Sequence, residues 1–505
     1  MIKAEQMKSA LIGGMVLWSA AGLAQTFTRF TTTEKGEWRQ SKVSLQSKAA
    51  QMPIMEVTGQ EEGTEFRAWG TCFNELDWDA FNLLKREQQD EIMSRLFSPD
   101  GDIRFTRGRL TMNANDYSRE WYSCDDVWGD LELRYFNIEH DKRNVMGLIR
   151  AAQHYQPNLT FWVSPWSPPV WMKINGDYPV LSSKYNNLDP RKDYLLYSSD
   201  SEKADPDEMK LLGDRNGVFP RRLATRDFFI QEPSYLQAYA NMFCRFIELY
   251  GEQGVPIDMV MYQNEAYSYT PYPGCAWTAE GTIRFNRDYL APTLKLRCPN
   301  VKLYLGTFNT NRQDYIEKIL ADEGLRRSIE GFGAQWEARQ VLPNIRKQYP
   351  ELHYVCTESE CGNGSMDWNA GEHTFFLLAD NLGNGCDEYY IWNFLLTDNG
   401  VSSWGWTQNA LIQVDSKTRQ HRYTAEYYAL KHFSHYVVPG SRVLAYKSKD
   451  SCDGVTLIAF VRPDNQYVII GGNFTNDNRM TSVRIGKKFL NVELEAHSFS
   501  TFVGK

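Results

Sequence analysis

The sequence lacks the features that mark several large classes of protein. Its 55 lysine and arginine residues form no basic run, and the formal net charge of the 505-residue chain is −8. A nucleic-acid-binding surface usually shows as such a run or stripe, so a nucleic acid is not an expected partner. The one long apolar stretch, Ala10–Ala24, has about 15 residues and is short for a membrane span.

Cofactor signatures are also missing. The nine cysteines are scattered and odd in number, without a Cys-x-x-Cys pair, and only eight histidines are present. Zinc sites need such ligands at short, regular spacing, so we expect no metal ion and at most one or two disulfides. Residues 70–75 (GTCFNE) span the end of the first predicted barrel strand and the start of the following loop. They lack the glycine spacing of a dinucleotide-binding loop. The expected activity therefore uses no cofactor.

Aromatic residues are the main excess in the composition. The chain has 15 tryptophans, 28 tyrosines and 26 phenylalanines within an apolar fraction of 42%. This fraction and the chain length predict an ordered protein with a large core and room for an accessory domain. The rings fit two roles, packing in that core or stacking on the flat apolar faces of sugars. Composition alone leaves both open.

The N-terminus has the pattern of an export signal. Lys3 and Lys8 precede the uncharged segment Ala10–Ala24, which ends in the small-x-small motif GLA. This arrangement is typical of a cleaved signal peptide. We therefore expect residues 1–24 to be removed and the mature chain to be secreted or periplasmic, without an integral membrane span. An anchoring helix is the alternative.

Eight short apolar segments alternate with helical patterns between residues 66 and 394. Most are almost continuously apolar, as strands buried on both faces of a parallel sheet are. Helical periodicity is clearest in Tyr235–Tyr250 and weaker in Asp141–Tyr155 and Thr374–Leu382. Eight β/α units predict a (β/α)8, or TIM, barrel. Its predicted strands are Phe66–Cys72, Ile103–Leu110, Leu159–Trp166, Ile257–Asn264, Val301–Phe308, Gly331–Trp336, Leu352–Thr357 and Glu388–Phe394.

The end of the chain has a different pattern. From about residue 430 the helical periodicity stops, and turn signals separate short strand-like segments. These are Val455–Val461, Tyr467–Asn473, Thr481–Ile485, Val492–Ala496 and Ser500–Val503. The strand-like segment from Gln25 to about Gln60 cannot begin the barrel, so we expect it to join them in an accessory β-sandwich. The predicted α/β fold has sandwich strands at 25–62, the barrel at 63–428 and further sandwich strands at 429–505.

One predicted connection is unusually long. A polar stretch rich in Pro, Asp, Lys and Tyr runs from Trp171 to about Glu232, after the third barrel strand. Loops of this length often carry function, and the β→α loops of a barrel frame its active site. We therefore expect this loop to shape the substrate pocket.

Two glutamates fall where barrel enzymes carry their chemistry. Glu265 stands at the end of the fourth predicted strand and Glu358 at the end of the seventh, where barrel active sites lie. Strands four and seven lie across the barrel mouth, so both side chains can point into one site. Cleavage of a glycosidic bond needs one acid to protonate the leaving oxygen and one carboxylate to attack the anomeric carbon. A single strand-end glutamate is more often an ion-paired surface residue, whereas this pair favours catalysis.

Several motifs resemble those of glycoside hydrolase family 30. The longest is residues 164–176 (SPWSPPVWMKING) on the third strand, while residues 263–265 (QNE) are similar to the acid/base motif and Thr357-Glu358 to the nucleophile motif. Further similar segments are 115–118 (NDYS), 392–393 (WN), 432–434 (HFS) and 439–441 (PGS). The resemblance covers nearly the whole mature chain. It implies a retaining β-glycosidase with a barrel and a sandwich built from both termini.

The resemblance also implies roles for single residues. Glu265 corresponds to the acid/base and Glu358 to the nucleophile. Asn264 corresponds to the residue that binds the sugar 2-hydroxyl, and Arg109 on strand two to the one that keeps the nucleophile ionised. The other substrate-binding positions are Asp116, Trp166, Gln335 and Trp392. A structural ion pair is the alternative role for Arg109, and core packing is the alternative for Trp166.

Two features of the sequence leave the nucleophile and the sugar undecided. Glu360 lies two residues after Glu358 and would face the same side of an extended strand, so it is the alternative nucleophile. The sequence also departs from the family pattern at Ala266, where proline is usual, and at residues 335–337 (QWE), where the family's glucosylceramidases have His-Trp-Tyr. The identity of the sugar is therefore not implied.

We expect a secreted β-glycosidase that hydrolyses β-linked glycans by double displacement and acts on chain ends, as β-glucosidases and glucosylceramidases do. Its substrate would be an oligosaccharide, a polysaccharide or a glycoconjugate. An endo-β-1,6-glucanase and a β-fucosidase or β-galactosidase are alternatives within the same family. A carbohydrate-binding protein without catalysis is the alternative from another class, although it would have no need of both glutamates.

Overall fold

The computed structural model of the protein describes residues 26–57, 63–180, 182, 184, 186, 227–266 and 270–505. The predicted signal peptide, residues 1–24, lies outside this range. Most of the connection between Trp171 and Glu232 that we expect to shape the pocket also lies outside it. Both expectations therefore stay predictions.

The chain begins with strands β1 (Thr26–Thr33), β2 (Gly36–Ser44) and β3 (Met55–Val57) and continues into the eight strands that form the barrel. These are β4 (Ala68–Cys72), β5 (Arg107–Met112), β6 (Thr160–Pro165), β7 (Ile257–Met261), β8 (Lys302–Phe308), β9 (Gly331–Gln335), β10 (His353–Glu358) and β11 (Glu388–Ile391). They close in the order β10-β11-β4-β5-β6-β7-β8-β9, and every pair is parallel. The predicted TIM barrel is confirmed.

Large side chains fill the interior of the barrel. Tyr390 and Tyr304 point inward with Trp162, Met259, Met261 and Val355. The two tyrosine rings occupy space that neighbouring strands leave free by having glycine. A Cβ atom added to Gly70 would lie 2.2 Å from the ring of Tyr390, and one added to Gly331 would lie 2.2 Å from the ring of Tyr304. The barrel is therefore a packed core, and only its mouth can hold a substrate.

Helices surround the barrel and bury an apolar face against it. The longest, α5, begins with a proline at its first position, as helices often do, and contains the predicted Tyr235–Tyr250 periodicity. The helices are α1 (Glu75–Asn82), α2 (Arg86–Phe97), α3 (Glu139–Arg143), α4 (Met146–Tyr155), α5 (Pro233–Glu252), α6 (Ala279–Arg284), α7 (Ala291–Arg297), α8 (Gln313–Leu320), α9 (Glu323–Arg326), α10 (Leu342–Gln348), α11 (Trp368–Gly383) and α12 (Ala425–Ser434). A π-helical segment, Phe285–Leu290, joins α6 to α7, and 3₁₀ turns occupy Val170–Met172, Trp336–Gln340 and Lys449–Ser451.

A small sheet follows the last barrel strand and was not predicted. It consists of β12 (Leu395–Thr397), β13 (Ile412–Val414) and β14 (His421–Tyr423). Because it belongs to the connection after β11, it lies on the side of the barrel where strands end. The loop between β12 and β13 carries Trp404 and Trp406, which pack near the site described below.

The accessory sandwich contains strands from both ends of the chain. The C-terminal strands are β15 (Arg442–Lys447), β16 (Val455–Val461), β17 (Tyr467–Asn473), β18 (Arg479–Ile485), β19 (Lys488–Leu494) and β20 (Ser498–Gly504). One sheet has the order β15-β16-β17-β20-β1-β2, and the other has the order β19-β18-β3. Apolar residues of both sheets, including Phe27, Ile469 and Val483, meet in one core. The predicted sandwich built from both termini is therefore confirmed.

The cysteines form no disulfide bonds in this structure. Each of the nine cysteines is a free thiol, and all but Cys452 are buried. Within the described residues, no helix is both long enough and apolar enough to cross a membrane. The same part of the chain contains no cluster of three His, Cys, Asp or Glu residues that could hold a metal ion.

Candidate active site

The two glutamates face each other across the mouth of the barrel. Glu358 is the last residue of β10, as predicted, and is 6% exposed. Glu265 is 5% exposed and lies four residues beyond the end of β7. The strand predicted over Ile257–Asn264 thus ends earlier, at Met261, before the backbone at Glu265 turns into the left-handed region with φ 49°. Such a conformation at a non-glycine residue is uncommon and concentrates at functional sites.

Gln335, the last residue of β9, connects the two carboxylates. Its amide nitrogen lies 3.1 Å from Oε1 of Glu265 and 3.3 Å from Oε2 of Glu358. The Thr357 hydroxyl donates to the Gln335 amide oxygen at 2.8 Å, which fixes the nitrogen on the side of the carboxylates. The two glutamate oxygens are therefore no farther apart than the sum of the two distances from the shared nitrogen.

Arg109 on β5 lies beneath the nucleophile position. Its guanidinium is completely buried and donates to Oε2 of Glu358 at 2.8 Å and to the backbone oxygen of Thr357 at 3.1 Å. The second terminal nitrogen donates to Ser164 Oγ at 3.1 Å and to Asn264 Oδ1 at 2.8 Å. Because charged hydrogen bonds of this kind are strong and directional, Arg109 fixes the orientation of Glu358 and ties it to Asn264.

The side chain of Asn264 has a fixed orientation. Its Oδ1 accepts hydrogen bonds from Arg109 at 2.8 Å and Thr307 Oγ1 at 2.9 Å, and it lies 3.3 Å from the nitrogen of Gln335. The backbone nitrogen of Asn264 donates to the oxygen of Pro165 at the end of β6. With its oxygen held by these donors, the amide can offer only its nitrogen to a ligand.

Two aromatic side chains donate to the outer oxygens of the carboxylates. Trp336 Nε1 donates to Oε1 of Glu358 at 3.2 Å, and the Tyr272 hydroxyl donates to Oε2 of Glu265 at 3.1 Å. Trp336 also has a left-handed backbone, with φ 51°. Each carboxylate therefore accepts a hydrogen bond from an aromatic side chain on one oxygen and from Gln335 on the other.

Trp166 and Trp392 stack on each other beside Arg109. Their ring centroids are 4.9 Å apart, and the guanidinium carbon lies 4.5 Å from the Trp166 ring and 5.4 Å from the Trp392 ring. Each indole is only 1% exposed, so neither presents an open face to solvent. Both predicted residues therefore lie at the site, where the faces of their rings contact the guanidinium of Arg109.

Asp116 is the remaining predicted residue, and it also reaches the site. Its side chain is almost fully buried, with Oδ2 3.5 Å from Gln408 Nε2. Its other oxygen, Oδ1, has no hydrogen-bond partner among the described residues. Burial raises the pKa of Asp116 well above its usual range, and the charge of Glu358 raises it further. A buried carboxyl with one unpaired oxygen is suited to bind a hydroxyl group.

The alternative nucleophile, Glu360, lies elsewhere. Its carboxylate accepts from His373 Nε2 at 2.8 Å and lies 3.5 Å from Arg339. His373 lies on α11 and Arg339 in the 3₁₀ turn after β9, and neither makes any of the hydrogen bonds of Glu265 and Glu358 described above. The geometry therefore favours Glu358 over Glu360.

The electrostatics of Glu358 result from two opposing effects. Burial has the larger effect and raises the pKa of its carboxyl above the usual value, while Arg109 opposes the rise, helped by the hydrogen bonds of Trp336 and Gln335. Two buried carboxyl groups that share a donor can hold one proton between them when one is stabilised as an anion. Because Arg109 donates directly to Glu358, the site favours the anion on that carboxylate.

Some site residues were not among those predicted from the sequence. Trp336 follows the last residue of a barrel strand, which is a position where functional residues concentrate, so its place was a usable signal. Tyr272 lies in a connection without a pattern of its own. Thr307 and Ser164 are small polar residues in strands, and only the closed barrel shows that they contact Asn264 and Arg109.

Comparison with known proteins gives matches over both parts of the chain. The family model described as glycosyl hydrolase family 30 TIM-barrel domain matches residues 66–185 and 230–437. The one described as glycosyl hydrolase family 30 beta sandwich domain matches residues 440–502. Together they cover more than half of the chain.

Individual relatives are more distant. Lysosomal acid glucosylceramidase from Mus musculus is 23% identical over 90% of this chain and 84% of its own. The endo-1,6-beta-D-glucanase neg1 from Aspergillus fumigatus is 22% identical over 92% of both chains. Among solved structures, SrfJ from Salmonella typhimurium has a TM-score of 0.80 at 20% identity, covering 95% of this chain and 99% of its own. The endo-beta1,6-glucanase BT3312 has a TM-score of 0.72 at 20% identity over 94% and 98%.

Proposed function

The chain belongs to glycoside hydrolase family 30 and is a glycosidase, and on this premise we propose that Glu265 and Glu358 cleave a β-glycosidic bond with net retention. The observation that carries the proposal is the Gln335 nitrogen within 3.3 Å of both carboxylates. The oxygen separation that this permits is shorter than the roughly 6.5–9.5 Å between the carboxyl groups of inverting enzymes. Inverting enzymes need their larger separation to admit a water molecule between the base and the sugar.

In the first step, Glu358 acts as the nucleophile. Its carboxylate attacks the anomeric carbon, and the bond from that carbon to the leaving oxygen breaks. Glu265 starts protonated and gives its proton to the leaving oxygen, so that a neutral alcohol departs. Arg109 keeps Glu358 ionised and aligned before the attack. The product of this step is a sugar ester on Glu358.

In the second step, Glu265 acts as the base. It is now a carboxylate and takes a proton from a water molecule, whose oxygen attacks the anomeric carbon. The ester bond breaks, and Glu358 is released as a carboxylate. Each step inverts the anomeric carbon, so the free sugar keeps the β-configuration.

We assign the sugar 2-hydroxyl to the amide nitrogen of Asn264. The oxygen of this amide faces Arg109 and Thr307, which leaves the nitrogen as the donor. A hydrogen bond to the 2-hydroxyl strengthens as positive charge develops on the sugar ring. Asp116 Oδ1 is the second polar group that we assign to the bound sugar, together with the edges of Trp166 and Trp392.

Action on chain ends is the mode that we propose. Both carboxylates are almost fully buried, and the stacked indoles close the same region, which fits a pocket for a terminal sugar better than an open groove. An endo-β-1,6-glucanase is the second candidate, because the similarity to the Aspergillus fumigatus enzyme extends over 92% of both chains. On a β-1,6-glucan, terminal action releases monosaccharide from the start, whereas internal cleavage releases longer oligosaccharides first.

We also propose that residues 1–24 direct export, so that the mature enzyme meets glycans outside the cytoplasm. The basic residues Lys3 and Lys8 before an apolar segment support this. N-terminal sequencing of the protein recovered from the host's medium or periplasm tests it. We expect the chain to start at Gln25, and an uncleaved chain retained in the cytoplasm would contradict the proposal.

Proton NMR of the first sugar released tests the retaining mechanism. A panel of aryl β-glycosides, including glucoside, galactoside and fucoside, first identifies the sugar that the enzyme accepts. With that substrate, the β-anomer should form first and then mutarotate. Initial formation of the α-anomer would refute the proposal, and binding of a sugar without turnover of any β-glycoside would favour the non-catalytic alternative.

A further inference from the structure

Five aromatic side chains form a continuous run at the barrel mouth: Tyr272, Trp406, Trp404, Trp121 and Tyr178. The distances between successive ring centroids are 5.3, 5.9, 5.3 and 6.0 Å. The rings come from the connections that follow four different barrel strands, β5, β6, β7 and β11. The fold, and not a local sequence motif, therefore assembles this aromatic run.

The aromatic run starts at the acid/base. Tyr272 donates to Oε2 of Glu265, whereas Oε1 faces Gln335 and the nucleophile side. A retaining nucleophile attacks the face of the anomeric carbon opposite to the leaving group, and the acid stands beside the leaving oxygen. The Tyr272 side of Glu265 is therefore the side on which the leaving group lies, and the aromatic run extends along it.

The exposure of the rings fits contact with a ligand. Trp406 is 5% exposed, whereas Tyr272, Trp404, Trp121 and Tyr178 are partly exposed. The Nε1 atom of Trp121 is buried without a hydrogen-bond partner among the described residues, although buried indole nitrogens usually have one. The partly open ring faces suit a sugar, which offers an apolar face for stacking.

A buried lysine fixes two of the loops that carry the run. Lys173 is 3% exposed, and its amino group donates to the backbone oxygens of Tyr178 at 2.6 Å and Gly274 at 2.7 Å. Gly274 lies two residues after Tyr272. The connections after β6 and β7 are therefore joined to each other, which holds both ends of the run in place before any ligand binds.

Polar groups beside the run favour a saccharide over a lipid chain. The Tyr178 hydroxyl donates to the exposed carboxylate of Asp126 at 2.9 Å, so the outer end of the run is polar and solvated. A lipid tail would require a continuous exposed apolar surface there. We propose, resting on the function proposed above, that the aromatic run binds the sugar residues of the leaving group, so that the preferred substrate carries a β-linked saccharide on that side.

The test compares two leaving groups attached to the same sugar. Values of kcat/KM are measured for the 4-nitrophenyl β-glycoside and for the β-linked tetrasaccharide of the sugar that the panel identifies. Trp404→Ala should lower kcat/KM for the tetrasaccharide about tenfold more than for the nitrophenyl glycoside, because a pocket contact contributes about that much discrimination. Trp404→Phe keeps a ring and should retain most of the preference.

Tyr155→Ala is the matched control. Tyr155 is a partly exposed ring at the end of α4, on the face of the barrel opposite to the active site, so its removal should leave the ratio between the two substrates unchanged. If Trp404→Ala is not folded by its melting curve, Trp121→Ala provides the same comparison. An equal loss on both substrates, or no loss on either, would overturn the inference.

Two further outcomes separate this inference from the proposed function. An octyl β-glycoside carries an alkyl leaving group, and a larger loss on it than on the tetrasaccharide would assign the run to lipid glycosides instead. If the wild type hydrolysed none of the substrates, the proposed function would fail. Calorimetric binding of the tetrasaccharide would then still decide the inference, which predicts about tenfold weaker binding by Trp404→Ala and is overturned by equal binding.

Discussion

Arg109 donates to Oε2 of Glu358 at 2.8 Å in a place that solvent barely reaches, with side-chain exposures of 0% and 7%. Burial raises the pKa of the glutamate, and the arginine is the largest influence that lowers it. The proposed nucleophile must be ionised before it can attack. Activity at low pH should therefore depend on this one ion pair.

Replacement of Arg109 by methionine tests this dependence. Arg109→Met removes the positive charge, so the pKa of Glu358 rises and the acidic limb of the kcat/KM profile moves to higher pH. The measurement is a pH profile with an aryl β-glycoside. Ser164→Ala is the control, since it removes a neutral partner of Arg109 and leaves the charge. An acidic limb that stays in place would mean that Arg109 is only structural.

Gln335 offers a second test, because its nitrogen reaches both carboxylates. Gln335→Leu keeps a similar volume but removes the donor, and we expect kcat to fall about 100-fold, as for loss of one well-placed donor in other active sites. Gln340→Leu makes the same exchange at an exposed position of the same connection and should have little effect. A Gln335→Leu enzyme with the wild-type kcat would show that the shared contact is not used.

Glu360 should be dispensable for chemistry. It accepts from His373 at 2.8 Å and lies 3.5 Å from Arg339, away from the other carboxylates. Glu360→Gln should therefore keep activity close to that of the wild type on an aryl β-glycoside, whereas Glu358→Gln should lose it. Our choice of nucleophile is wrong if the two variants behave the other way round.

Glu426 makes the stability of the protein depend on pH. It is buried on α12, accepts from Thr374 at 3.0 Å, and burial raises its pKa from 4.5 to about 7. Between pH 4.5 and about 7, the folded state therefore binds more protons than the unfolded state. The free energy of unfolding should fall as pH rises from about 4.5 to 7, by up to about 3 kcal/mol from this group.

Glu426→Gln removes this contribution and should melt at a higher temperature than the wild type at pH 8 but not at pH 4.5. The difference in melting temperature between the two proteins is taken at each pH. This difference excludes the titration of all other carboxyl groups, which both proteins share. Melting curves by circular dichroism suffice. An equal difference at both pH values would show that Glu426 does not titrate between them.

The regular parts of the fold were predictable because burial determines them. Most of the eight barrel strands are buried on both faces, so most are almost continuous apolar runs in the sequence. Strand ends were less predictable. The predicted strand Ile257–Asn264 is longer than the observed β7, which ends at Met261, before the left-handed backbone at Glu265. The three-residue strands β12, β13 and β14 are too short to show alternation.

The site residues that lie on barrel strands were predictable from the sequence. Glu358, Arg109 and Gln335 lie on barrel strands, and their sequence positions already placed them at one mouth. The partners in the connections were not predictable, because residues far apart in sequence meet only after the barrel closes. Tyr272 and Trp406 are examples, with ring centroids 5.3 Å apart although the residues are 134 positions apart in the sequence.

Azide rescue of two alanine variants tests the central claim most directly. Without its nucleophile, Glu358→Ala should be inactive on every β-glycoside, and azide should attack in its place to give slow formation of an α-glycosyl azide. Without its acid/base, Glu265→Ala should still release dinitrophenol in a burst, because this leaving group needs no proton. Turnover should then stop at the covalent intermediate, and azide should release it as a β-glycosyl azide. The opposite azide anomers would exchange the two roles, and wild-type rates in both variants would contradict the two-glutamate mechanism itself.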